Sequence, residues 1–316
     1  MNKILYKTKQ KKGEFGFVWF FALVVGGAIL VLAIYGAMKI GDTKDYQSTT
    51  EIAKQISILT DPMQAGFAEG KFGKINFNQD TRIDNYCFRG GFGRNEISVA
   101  VKTNNKWSNA RGSTSIQNKY IFSSEENEGN EFYVFSSPFV FPYKVADIII
   151  LMNKNYCFIN SPDEVSNQVD FLSNVRIKNC TKDEIRVCFN SGNDCDMTVY
   201  GACTSNCNSI YDEGTVEKNG ETVKFVGNLM LPAIFSSKEI YDCNVERLLV
   251  RDSSIARVFA EKSDLMNARD CNTNMKADLI AWQSIVGNSS AEEIISLNSI
   301  SKNLEARNRG ELCGLW

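Results

Sequence analysis

Along most of this chain apolar and polar residues alternate, and near its end the spacing lengthens to that of a helix. Between residues 66 and 235 runs of period two predict strands over Lys74–Asn78, Ile83–Arg89, Glu96–Lys102, Phe132–Ser136, Ala146–Met152, Val175–Lys178, Glu184–Phe189 and Met197–Ala202. The clearest signal is Gly214–Val226, where Asn219-Gly220 is the pair favoured at a type I′ hairpin turn. One helix interrupts the strands: Ser161-Pro162-Asp163-Glu164 supplies an N-cap, a proline at the first helical position and an acid at the third, followed by Val165, Val169, Phe171 and Leu172. From Ser236 the period changes. Ser236 to Glu239 has the form of a capping box, and Ile240, Leu248, Ile255, Val258 and Leu265 follow at helical spacing. Arg251–Ser254 weakens that stripe, which predicts a break in the helix there. Met275–Val286 and Ile294–Leu304 predict two more helices, with Gly287 and Gly310 where C-terminal caps would sit.

A different pattern precedes all of this. Phe15 to Met38 is 24 consecutive residues without Asp, Glu, Lys or Arg. At a rise of about 1.5 Å per residue it would extend about 36 Å, enough to cross a hydrocarbon layer of about 30 Å. A spanning helix over residues 14–40 is the expectation, with a helical stalk over 41–65 that opens at Ser48-Thr49-Thr50-Glu51 and stops at Asp61-Pro62.

Charge gives that expectation a direction. Residues 1–13 carry five lysines and no acid, whereas the remainder has 30 basic against 37 acidic residues, a net of −7. The positive-inside rule then keeps the amino terminus cytoplasmic and faces the rest outward. An acidic outward domain offers no electrostatic ground for binding nucleic acid.

Cysteine and histidine sharpen the picture. The ten cysteines are Cys87, Cys157, Cys180, Cys188, Cys195, Cys203, Cys207, Cys243, Cys271 and Cys313, an even number that lies wholly beyond the apolar run. In an oxidising compartment this pattern predicts disulfides and no free thiol. If residues 243–271 form one straight helix, its ends lie about 42 Å apart, so Cys243 and Cys271 cannot bond to each other. A hairpin of the last two helices instead brings Cys271 to Cys313 and leaves Cys243 for the β-rich part. The chain contains no histidine. Histidine-based triads, dyads and zinc sites are therefore excluded.

The residues just before the apolar run, Lys11-Lys12-Gly13-Glu14, resemble the processing site of archaeal type IV pilin-like precursors, over residues 1–60 only. The resemblance implies cleavage after Gly13, a mature chain beginning at Glu14, and a retained apolar helix that serves in subunit assembly. The sequence departs from the family at Phe15 and Gly16, where small or aliphatic residues are usual.

Other candidate chemistry is sparse. Arg89-Gly90-Gly91-Phe92-Gly93-Arg94 matches no nucleotide-binding fingerprint and reads as a turn between strands. Ser123–Glu131 and Asn190–Asp196 offer oxygens of the kind that hold calcium, without the order of an EF-hand loop. Solvated loops are the preferred reading, with no metal and no cofactor. Asn179-Cys180-Thr181 and Asn288-Ser289-Ser290 are N-glycosylation sequons. The aromatic run Phe132–Tyr143 is expected to fill the core.

The expected fold class is α+β: a single membrane-spanning helix with a stalk, a disulfide-bonded β-rich ectodomain over 66–235 and a C-terminal helical unit over 236–316. The expected role is non-enzymatic. It is that of a membrane-anchored, outward-facing structural or adhesion and assembly protein, such as a pilin-like subunit. Its partners would be the lipid bilayer and either copies of itself or other envelope or pilin-like subunits. The alternative is a membrane-tethered extracellular hydrolase using paired carboxylates.

Overall fold

The computed structural model describes residues 21, 23–35, 72–103, 105–108, 113–203 and 210–316. The chain divides into two compact units, Met1–Ser48 and Thr49–Trp316. In the first, residues 21 and 23–35 are helical and exposed. Among the described residues no helix is long and apolar enough to cross a membrane. This overturns the expected spanning helix. The stalk over 41–65 lies outside the described residues.

The second unit is α+β, built on two sheets. The first has seven strands: β1 (Phe72–Phe88), β2 (Arg94–Thr103), β3 (Lys106–Trp107), β4 (Ser113–Gln117), β5 (Tyr120–Phe122), β6 (Glu126–Val140) and β7 (Lys144–Met152). Their order is β3-β2-β1-β6-β7-β5, with β4 also pairing with β2. The two strands expected over 74–78 and 83–89 are one long strand. Its pairing with β6 shifts register between Asn76 and Thr81, and such an irregularity bends and twists a strand.

This sheet curls until β2 meets β5 from the far end of the order, and side-chain amides close the seam. Asn95 on β2 accepts from the Ile121 N–H at 3.2 Å and donates to the Ile121 carbonyl at 3.3 Å, in place of a missing ladder pair. Asn85 on β1 donates to the same carbonyl at 3.0 Å and to the Ser123 hydroxyl at 2.9 Å. Both asparagines are fully buried, so these bonds satisfy groups that would otherwise be costly to desolvate. Inside the curl lie Ile83, Ile97, Val99, Ile116, Ile121, Phe132, Val134 and Ile149.

The second sheet holds β8 (Tyr156–Ile159), β9 (Val175–Ile177), β10 (Ile185–Phe189), β11 (Met197–Ala202), β12 (Glu213–Lys218) and β13 (Glu221–Val226), in the order β13-β12-β11-β10-β8-β9. Helix α1 (Asp163–Val169) makes the crossover from β8 to the parallel β9. Strands β10 and β11 are also parallel, yet only residues 190–196 join them. Parallel neighbours ordinarily need a crossover of about a dozen residues or more. Here β11 begins beside the middle of β10, Val187 opposite Met197, so the return path is short. The Cys188–Cys195 disulfide closes that loop over Gly192, where any Cβ would stand 2.7 Å from the Cys195 sulfur. The β12–β13 hairpin turns through Asn219 and Gly220 at φ of 52° and 78°, the left-handed pair of a type I′ turn.

The helices α2 (Met230–Phe235), α3 (Lys238–Asn267), α4 (Lys276–Val286) and α5 (Ile294–Gly310) pack on the sheets. Buried Lys218 stops α2 by donating from Nζ to the carbonyls of Ala233, Ile234 and Ser236, the end where a helix carries partial negative charge. The capping box expected at Ser236–Glu239 does not form; α3 starts one residue later, and its N-cap Ser237 makes no side-chain cap bond. Nor does α3 divide near Arg251. It runs unbroken for 30 residues. A larger core joins both sheets to these helices and holds Phe135, Phe139, Phe141 and Tyr143 of the aromatic run, with Trp282 of α4.

Candidate functional site

The described disulfides are Cys87–Cys243, Cys157–Cys180, Cys188–Cys195 and Cys271–Cys313. Cys271 and Cys313 meet because α4 and α5 form the expected hairpin, and Cys243 bonds back to β1. Cys203 is also disulfide-bonded, Cys207 lies outside the described residues, and no free cysteine stands among those described. Gly13 and Glu14 lie outside them too, and the processing site with them. Asn179 sits exposed in a left-handed turn beside Cys180. Asn288 is exposed past the end of α4 and donates to the Ser284 carbonyl at 2.7 Å, while Ser290 of its sequon is held by Glu293 in a capping box. The glycine-rich stretch 89–94 is the β1–β2 turn, with Gly90, Gly91 and Gly93 at positive φ. A Cβ on Gly93 would stand 2.7 Å from Nε of Arg247.

Carboxylates do cluster, on the face of β1 and β6. Asp84 lies opposite Glu126 and Arg82 opposite Glu128 in the strand register. The Arg82 guanidinium is 3.3 Å from Asp84, 3.8 Å from Glu126 and 4.0 Å from Glu128, and stacks over Trp107 with 5.3 Å to the ring centre. Burial raises the Asp84 carboxyl from its ordinary value, against Arg82 and a bond from Ser98 that favour its charged form. Desolvation and a hydrogen bond with Glu126 raise Glu128. One cation shared among three acids offsets part of their repulsion across the strands. Among the described residues no group of three or more His, Cys, Asp or Glu is arranged to hold a metal ion. Of the two calcium-like stretches, 123–131 leads into and forms the start of β6, and 190–196 is the loop closed by Cys188–Cys195.

The better site is a cavity of about 540 Å³ between β6 and α1. Helix α1 buries Val165 and Val169 against the core. At the complementary spacing, Glu164, Asn167, Gln168 and Phe171 line the cavity, faced by Ser137 of β6 and by Asn228. Two of these groups are anchored by one atom each. Glu164 accepts the Ile210 N–H at 3.3 Å through Oε2, and Asn228 donates to the Pro138 carbonyl at 2.9 Å through Nδ2. The amides of Asn167 and Gln168 and the hydroxyl of Ser137 bond to no other described residue. Phe135, Leu231 and Ile210 complete an apolar wall, and among the described residues no lysine or arginine lines the space. The sequence carried a signal for this face, Glu164, Gln168 and Phe171 at i, i+4 and i+7.

No family model, curated protein or solved structure matches the chain.

Proposed function

We propose that this chain is an outward-facing structural or adhesion and assembly protein whose second unit is a disulfide-stapled interaction domain. The observation that carries the reading is the disulfide framework. Four described bonds tie β1 to α3, β8 to the loop after β9, β10 to the loop before β11, and the α3–α4 link to the carboxyl terminus. Bonds of this number persist in oxidising compartments and are rare in the cytosol. A surface suited to contact accompanies them. Tyr86, Phe88 and Phe92 stand half-exposed at the β1–β2 tip, and the Arg94 guanidinium lies over Phe88 at 4.5 Å. Aromatic residues and arginine are the types enriched where proteins meet.

The test is thiol labelling of the native protein, denatured without reductant, together with protease treatment of intact cells. The expected outcome is no labelled cysteine and a second unit that the protease can reach. Several reactive thiols, or full protection inside intact cells, would overturn the reading.

A further inference from the structure

We infer that the cavity between β6 and α1 is a binding site for a neutral saccharide. This deepens the proposed adhesion role by naming a ligand class, yet it rests on the cavity alone. Its volume of about 540 Å³ falls within the range of about 300–1,000 Å³ usual for small-molecule sites.

The lining selects the chemistry. Among the described residues that line it there is no lysine or arginine to neutralise a phosphate, sulfate or carboxylate, and the one acid among them, Glu164, repels such groups. An apolar ligand would strand the amides of Asn167 and Gln168 and the Ser137 hydroxyl without partners, at a cost for each. A ligand that both donates and accepts at closely spaced positions satisfies them. Each amide offers two donors and an acceptor with two lone pairs, the set that adjacent sugar hydroxyls match. The oxygen of Glu164 not taken by Ile210, and the Asn228 side-chain oxygen, add acceptors for hydroxyl protons. Phe135, Leu231 and Ile210 supply an apolar wall for the C–H face of a sugar ring.

These groups sit on rigid supports. Val165 and Val169 fix α1 in the core, so its outer face is held without being part of the core. Ser137 lies on β6 where it pairs with Ile148 of β7. Binding therefore needs little reordering of the protein, which favours affinity.

The test uses the purified full chain and a panel of neutral disaccharides, cellobiose, maltose, lactose and chitobiose, with glucuronic acid as the charged comparison. Saturation-transfer NMR and calorimetric titration read the binding. The expected result is millimolar or tighter binding of at least one neutral sugar, weaker binding of glucuronic acid, and a loss of at least about tenfold in an Asn167→Ala/Gln168→Ala variant. Both positions are outside the core and on a helix, where alanine favours folding, and an unchanged melting temperature checks the fold. No binding of any neutral sugar, equal binding in the double variant, or a preference for glucuronic acid would overturn the inference. Because this assay is done in solution, its failure leaves the outward-facing role to be decided by thiol and protease accessibility.

Discussion

Arg247 donates from Nη1 to the side-chain oxygen of Asn95 at 2.6 Å, so a guanidinium from α3 enters the amide seam that closes the first sheet. The same group donates to Asn244 at 2.7 Å, to the Lys119 carbonyl at 2.9 Å and to the Phe92 carbonyl at 3.0 Å, and lies over the Tyr120 ring. Burial lowers its pKa to about 10, which still leaves it charged at neutral pH. All of these partners are neutral. What Arg247 supplies is thus the planar fork, several donors in fixed directions, more than an ion pair. Arg247→Lys keeps the charge and loses the fork. It should destabilise by about 3 kcal/mol, nearly as much as Arg247→Met, since each strands buried oxygens. Urea unfolding of both variants checks this, and near-wild-type stability of the lysine form would show that charge alone matters.

The disulfides should differ in worth by the length of chain they close. Cys87–Cys243 spans 156 residues and Cys188–Cys195 spans 7. Restriction of the unfolded chain predicts about 5 kcal/mol for the first and about 2 kcal/mol for the second. Paired alanine substitutions at each bond, followed by denaturant unfolding, measure the two losses. Equal losses would mean that local packing outweighs chain entropy.

How much of this was legible depended on where each residue's partners lie. The β12–β13 hairpin was readable because Asn219 and Gly220 declare a backbone conformation that few other pairs adopt. The Cys271–Cys313 bond followed from helix lengths. The buried face of α3 was readable only in part. Ile240 and Leu248 of the expected stripe lie on it, but it also carries Asn244, Arg247, Asp252 and Ser263, while Val258 and Leu265 of that stripe are 59% and 67% exposed. The partners of Asn244, Arg247 and Asp252 come from β2, β5 and α4, far away in the chain, so periodicity counts these residues as surface. The continuity of β1 was hidden for a related reason: Asn78 to Arg82 is polar because part of that stretch faces water.

Gly201 lies opposite Gly214 in the β11–β12 ladder, and the Tyr211 ring packs where a Gly201 side chain would go. The ring cannot yield freely, because its hydroxyl accepts from Asn190 at 2.8 Å, and the same Asn190 accepts the Gly201 N–H at 3.0 Å. Gly201→Ala should therefore cost about 2–3 kcal/mol by overpacking. Tyr211→Phe, which loses only one hydrogen bond, should cost about 1 kcal/mol. Thermal melts of the two variants give the order, and a harmless Gly201→Ala would show that the ring swings aside.

Asp252 sets the pH dependence. It is fully buried on α3, accepts the indole N–H of Trp282 at 3.1 Å through one oxygen, and has no partner on the other. Burial raises its pKa from 3.8 to about 8, although the nearby Tyr143 hydroxyl and the Trp282 indole favour the charged form. The unfolded chain then releases this proton near pH 4, and the folded chain holds it until about pH 8. Over that window the unfolded state binds fewer protons, so stability is full at about pH 4 and falls by about 1.4 kcal/mol per pH unit up to about pH 8. Asp252→Asn keeps the acceptor for Trp282 and places an uncharged group where the unpartnered oxygen stood. Its stability should lack this slope, so that its advantage over the wild type grows from about pH 4 and levels off near pH 8. Urea unfolding at intervals across that window measures the difference. Parallel curves for the two proteins would mean that Asp252 is already ionised inside the fold, with a positive group moved close enough to pair with it.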